Sequence, residues 1–197
     1  MTAAAFVAAI GAAAALTTQG AATAPVLDNT TVRVTRVRIP QGGAYDVRAD
    51  AAAILVVTLP GGDVQFIRSG MTRRLTNADP APTELIAIAI KPTRRPADSA
   101  PPTSPPPGIA RTTILDTHDV RVVRATFAPT GREPVHTHPN DLLTIQITPG
   151  RVEIFDGSTT ATTTEPVGSV RFLPRNAPHA YASASTRSFE ILSIAIK

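Results

Sequence analysis

Three of the four histidines in the chain stand at a spacing suited to binding one metal ion. His136 and His138 are separated by a single residue, so on an extended strand both imidazoles point to the same face. His179 follows several strand lengths later, far enough for a closed sheet to return it opposite the pair. Three neutral imidazoles at roughly 2.0–2.1 Å from one ion leave positions open for water or substrate. An ion so held keeps its full charge and attracts an anionic partner such as hydroxide or a carboxylate. The same rings would serve equally as polar groups of a small-molecule pocket, and both readings stand at this point. His118, within Asp116-Thr-His-Asp119, reads as a surface residue.

The elements that must position these residues are strands. The chain is 43% hydrophobic but only 4% aromatic, with no Trp, so Val, Ile, Leu and Thr carry the packing. These residues favour strands over helices. Val32–Ile39 and Val120–Phe127 alternate apolar and polar residues, and Gly, Pro, Asn and Asp interrupt the runs at hairpin intervals. The expected architecture is all-β, a sandwich or closed barrel of short antiparallel strands.

The chain also resembles itself. Glu84-Leu-Ile-Ala-Ile-Ala-Ile-Lys91 and Glu190-Ile-Leu-Ser-Ile-Ala-Ile-Lys197 differ at few positions. Asp28–Ile67 aligns without a gap onto Asp116–Phe155 at a shift of 116 − 28 = 88, which places Gly62 on Gly150. The closing octapeptides are shifted by 190 − 84 = 106, so the first copy is shorter by 106 − 88 = 18 residues. This reads as an internal duplication. At the shift of 88, His136 falls on Arg48 and His138 on Asp50, and the 18-residue loss is expected to remove most of the segment matching His179. No histidine precedes residue 118, so the first copy is expected to hold no such site and to serve as a packing partner.

Gly131-Arg-Glu-Pro-Val-His136-Thr-His138, closed by Gly150, resembles the first sequence motif of the cupin superfamily. Gly168, Pro174, Asn176 and His179 resemble the second, with Asn176 in a glycine slot and Ser183 in place of a final Asn. Asn suits that slot because, after Gly, it visits left-handed conformations most readily. The resemblance implies a bicupin of two jelly-roll barrels, the first degenerate, with His136, His138 and His179 holding iron, manganese, zinc or nickel. The family's Glu ligand would fall at Leu143, counting back from Gly150, or at Leu142, counting on from His138, and neither can bind a metal. Asp141 is the candidate to act instead, as a ligand or bonded to one, and Tyr181 is the other nearby group suited to acid–base work. Without an acidic ligand the site resembles the three-histidine iron cupins.

These readings divide the chain into a leader (1–24), a degenerate repeat (26–91), a Pro-rich linker (92–110) and a metal-bearing repeat (111–197). Met1–Ala24 has no charged residue, an apolar run at Phe6–Leu16 and an Ala22-Thr23-Ala24 arrangement typical of signal cleavage, which predicts a periplasmic or secreted protein. The run is too short for a stable membrane span. A formal charge of +4 is spread over scattered arginines with few aromatics to stack bases, which argues against nucleic acid. With no cysteine there is neither a disulfide framework nor a thiolate site. The expected partner is a small molecule, and a homodimer is compatible with the sequence. Two functions follow: a metal-dependent oxygenase, lyase or isomerase acting on a small anionic metabolite, or a non-catalytic ligand-binding or structural protein of the cell envelope. The residues leave enzymatic activity open.

Overall fold

Val, Ile and Leu at every second position of a strand bury one face, and a run of them without alternation buries both. That distinction organises the computed structural model, which describes residues 20–92 and 105–197. There are no helices among the described residues, so none is long and apolar enough to cross a membrane. The first half carries β1 (Ala22–Asp28), β2 (Val32–Ile39), β3 (Ala44–Ala49), β4 (Ile54–Leu59), β5 (Asp63–Ile67), β6 (Met71–Thr76) and β7 (Thr83–Ile90). The second carries β8 (Ile109–Asp116), β9 (Val120–Phe127), β10 (Asp141–Gln146), β11 (Gly150–Phe155), β12 (Thr160–Glu165), β13 (Val170–Leu173), β14 (Ala180–Ser183) and β15 (Phe189–Ile196).

Each half has a five-stranded antiparallel sheet, ordered β1-β2-β7-β4-β5 in the first and β13-β10-β15-β9-β8 in the second. The two large sheets share one core. Val32, Val34, Leu55, Ile86 and Ile88 of the first pack with Val120, Leu143, Ile145, Leu192 and Ile194 of the second. On its other face each large sheet meets a smaller one. Val37, Ile39 and Leu85 pack against Val47 and Ala49 of the β3–β6 pair. Phe127, Phe189 and Ile191 pack against Val152, Ile154 and Tyr181 of the β12-β11-β14 sheet. The result is four layers, with β7 and β15 buried on both faces. Their near-continuous Leu, Ile and Ala runs follow from that position.

The registers of the two halves correspond. Val32 pairs with Ile90 and Val120 with Ile196, offsets of 120 − 32 = 88 and 196 − 90 = 106. The bulge between Pro25 and Leu27 recurs between Thr113 and Leu115. The ungapped alignment of Asp28–Ile67 needs one correction, because its break falls immediately after β4. Val57 pairs with Val64, and Ile145 with Val170, so β5 occupies the place of β13, 170 − 64 = 106, and not that of β11. The 18 residues absent from the first half are therefore those of the β11–β12 hairpin. Gly62 matches Gly168 rather than Gly150, and both have positive φ, 70° and 76°. The segment expected to be lost with the third histidine is present, since 179 − 106 = 73 sets Arg73 in the place of His179.

Contacts across the shared core are reciprocal. Arg36 Nη2 donates to the Gly168 carbonyl at 2.7 Å, and Arg124 Nη2 to the Gly62 carbonyl at 3.1 Å. Ala22–Ala24, the end of the expected leader, lie in β1 opposite Arg36–Arg38, while residues 1–19 fall outside the described residues. Most of the expected linker, 93–104, also lies outside them, and its last two residues, Ile109 and Ala110, begin β8.

Candidate metal centre

None of the three histidines belongs to a regular strand. His136 and His179 form an isolated antiparallel bridge in which each backbone N–H donates to the other's carbonyl at 2.9 Å. The His138 carbonyl accepts from the Asn176 N–H at 2.7 Å. Asn176 sits at φ 58°, so the residue in the glycine slot takes the left-handed conformation that its short polar side chain permits. Gly131, at the start of the segment, is required sterically: a Cβ there would lie 2.6 Å from the Gly108 carbonyl oxygen.

The three rings converge. Their candidate ligand atoms all lie within 4.8 Å of one another, and ring centroids are 4.4–5.0 Å apart. His136 Nδ1 lies 2.8 Å from the Pro134 carbonyl, and His179 Nδ1 lies 2.9 Å from the Ala177 carbonyl. An Nδ1–H donated to a carbonyl leaves the Nε2 lone pair free for an ion. His136 Nε2 and His138 Nε2 stand 3.1 Å apart. Neighbouring ligands about 2.1 Å from one ion are separated by about 3.0–3.4 Å in octahedral or tetrahedral geometry, so the spacing of this pair suits a divalent transition metal. Burial, followed by the neighbouring His136 and His179 rings and Arg111, holds His138 down to about 4. Burial also lowers His179, against the Ala177 carbonyl and Glu133, which pull it up. His138 and His179 are thus predisposed to the neutral form that ligates.

An Arg111–Glu133 ion pair flanks the cluster, its side chains 25% and 12% exposed. The Glu133 N–H donates to the Tyr181 carbonyl at 2.9 Å, tying this pair to the strand that follows His179. Sequence reasoning passed over both residues, although Glu133 lies inside the motif, three positions before His136.

Asp141 lies outside the converging group, and the Tyr181 hydroxyl faces Gln146. Asp141 is 5% exposed, and its carboxylate accepts from the Arg175 N–H (2.9 Å), Arg175 Nη2 (3.1 Å) and Thr31 Oγ1 (2.8 Å). Burial alone would raise its pKa, but these bonds outweigh it and hold the carboxyl below the usual carboxylate range. Tyr181 packs edge-on to Phe127 with centroids 5.4 Å apart, and its hydroxyl faces Gln146 Oε1 at 3.5 Å. Burial pushes its phenol well above the ordinary tyrosine range. Leu143 does not fill the missing ligand's place, because it packs in the core between the large sheets. By alternation Leu142 shares the opposite face with Thr144 and Gln146, which line a small cavity together with Tyr181. The barrel-facing position is therefore Leu142. His118 is exposed, its side chain 99% accessible, as its sequence context implies. Arg48, Asp50 and Arg73 of the first half are exposed, and no second metal-type cluster occurs among the described residues.

No family sequence model matches the chain, and no curated protein sequence does. Solved structures do match. A cupin 2 conserved barrel domain protein from Leptotrichia buccalis superposes with a TM-score of 0.56 at 14% identity, over 90% of this chain and 89% of its own. Salicylate 1,2-dioxygenase from Pseudaminobacter salicylatoxidans gives 0.66 at 8% identity, over 85% and 71%. An oxalate decarboxylase gives 0.65 at 10% identity, over 90% and 73%. Strand order, the three-histidine cluster and these superpositions agree: the chain has the fold of the cupin superfamily.

Proposed function

We propose that the second half binds a divalent transition metal, iron, manganese, zinc or nickel, through His136, His138 and His179. In this reading the metal supports oxygenase, lyase or isomerase chemistry on a small anionic metabolite. The observation that carries it is the convergence of three imidazoles, two of them with Nδ1 set against a backbone carbonyl. When bound, such an ion supplies Lewis acidity and an open site for an anionic oxygen ligand. The chain's own residues aim the three rings and, by burial, favour the neutral form of His138 and His179. Arg111 and Glu133 add a cation and an anion beside them. That one similar structure is a salicylate dioxygenase supports the oxygenase class.

A second reading is a non-catalytic ligand-binding or structural protein. Leu142 in the barrel-facing position, and Asp141 committed to Arg175 and Thr31, favour it, because neither position then offers the cluster an acidic ligand. Metal analysis of the untagged protein decides between them. One equivalent per chain, abolished by His138→Ala, supports the metal reading, and no metal in the unaltered protein overturns it.

Two further proposals concern origin and location. The correspondence of registers supports descent of the two halves from a duplicated unit. The uncharged, Ala-rich Met1–Ala24 supports export to the periplasm or medium. Intact Met1 on cytoplasmic protein, found by mass spectrometry in the native host, would refute export.

A further inference from the structure

Asp141 reaches across the molecule. Its partner Thr31 belongs to the β1–β2 turn of the first half, 110 residues away in sequence, and their bond is buried. Its other partner, Arg175, sits within the turn from Pro174 to Ala177, closed by the Ala177 N–H donating to the Pro174 carbonyl at 3.2 Å. That turn touches two of the three histidines. Asn176 N–H holds the His138 carbonyl, and the Ala177 carbonyl stands against His179 Nδ1. A buried carboxylate must be paired, and here both of its oxygens are taken up by the turn and by Thr31.

We propose that Thr31, Asp141 and Arg175 are positioning residues for the candidate metal centre, so that the half without histidines sets the geometry of the half that has them. The corresponding positions elsewhere in the interface give the contrast. Subtracting 88 from 141 and 106 from 175 gives Ala53 and Ser69, while adding 88 to 31 gives Asp119. Those three line an open cleft of about 710 Å³, and among the described residues Ser69 donates to the Asp50 carbonyl and Asp119 faces His118, rather than the two meeting each other. The clamp is present only where the turn holds histidines. It matters because affinity for an ion falls when ligands are held loosely.

The proposal rests on the metal reading and is tested apart from it. Cobalt(II) is titrated into untagged full-length protein and into Asp141→Asn, Thr31→Val and Thr31→Ser. Ring-nitrogen NMR of His138 and His179 is recorded on the same metal-free proteins. We expect Asp141→Asn to weaken cobalt binding about 10–100-fold. Thr31→Val should weaken it about 3–10-fold, the worth of one buried hydrogen bond. Thr31→Ser, which restores the hydroxyl, should return affinity and the cobalt visible spectrum to those of the unaltered protein. The His138 and His179 ring signals should move in the first two variants and return in the third. If Asp141→Asn does not fold, the Thr31 pair carries the test. A lowered melting temperature with unchanged affinity, spectrum and ring signals overturns the proposal. If the unaltered protein binds no cobalt, the metal reading fails, and the ring signals alone decide whether the clamp positions the histidines.

Discussion

The two halves share a strand frame down to one bulge and a pair of reciprocal arginine contacts, yet only one gathers histidines. Substitution at the ligand positions is half of the difference. The other half is register. In the second half His136 is bridged to His179, whereas in the first Arg48 pairs with Thr72 and Arg73 with Val47. Adjacent residues on a strand point to opposite faces, so the slip of one residue sends Arg48 and Arg73 to opposite sides of the β3–β6 pair. Regular pairing has closed a ladder in the first half. In the second the segment after β9 stays irregular and can aim two side chains at a third. A metal-type cluster here needs departure from the ladder as much as it needs histidine.

The largest test of that comparison concerns what the halves share. Ile88 and Ile194 occupy matching positions in the common core and are both fully buried. Truncation of either to Ala is expected to cost about 2–5 kcal/mol. Both variants should unfold in one transition followed by calorimetry, and a second transition in either would show that the halves fold separately.

A smaller effect separates the halves by pH. Burial holds folded His138 at about 4, below its ordinary 6.5, and lowers His179 as well. Between those values the unfolded chain binds more protons than the folded one, so stability is full above about 6.5 and falls as pH drops toward 4. Urea midpoints of the metal-free protein should decline over that window, and His138→Gln should flatten the decline. No first-half histidine contributes, because that half has none, and its lowered Asp28 enters only at the acid end of the window.

The reciprocal arginines give a finer comparison. Arg36→Ala and Arg124→Ala should each cost roughly 1–2 kcal/mol by chemical denaturation, since each removes charge-assisted bonds at a partly exposed site. Arg124→Ala should be the larger. Its guanidinium holds the Gly61 and Gly62 carbonyls and Glu190 at 3.0 Å, whereas Arg36 stands 3.6 Å from Glu84. Equal losses would mean that the carbonyl contacts alone matter.

The smallest expected effect is none. Arg48→His, Asp50→His and Arg73→His together restore the residue types of the second half at the matching positions. Metal content should not rise, because residues 48 and 73 face opposite ways. An additional equivalent of bound metal would refute the register argument.

Alternation in Val32–Ile39 and Val120–Phe127 made the strands legible from sequence, and the H-x-H spacing with Pro174, Asn176 and His179 made the cluster legible. What escaped did so for physical reasons. Leu142-Leu-Thr-Ile-Gln-Ile147 is buried on both faces, so its alternation could not show whether Leu142 or Leu143 faces the barrel. Asp63–Ile67 fits both β11 and β13, each a short mixed strand in a Gly-rich context. Only its pairing with β4 identifies it with β13. Asp141 resembled a ligand by proximity in sequence, but its role depends on Thr31, which no local pattern could bring near.

The three histidines, all lying between ladders, bear on time as well as geometry. Amides of β2, β7, β9 and β15, locked in the shared core, should exchange with solvent only through global unfolding, while segments tied by isolated bridges and a few side-chain bonds should open locally and more often. An ion held by residues 136, 138 and 179 would thus be gained and lost through small openings of those segments. On the metal reading, the lifetime of the occupied site would be set apart from the lifetime of the fold.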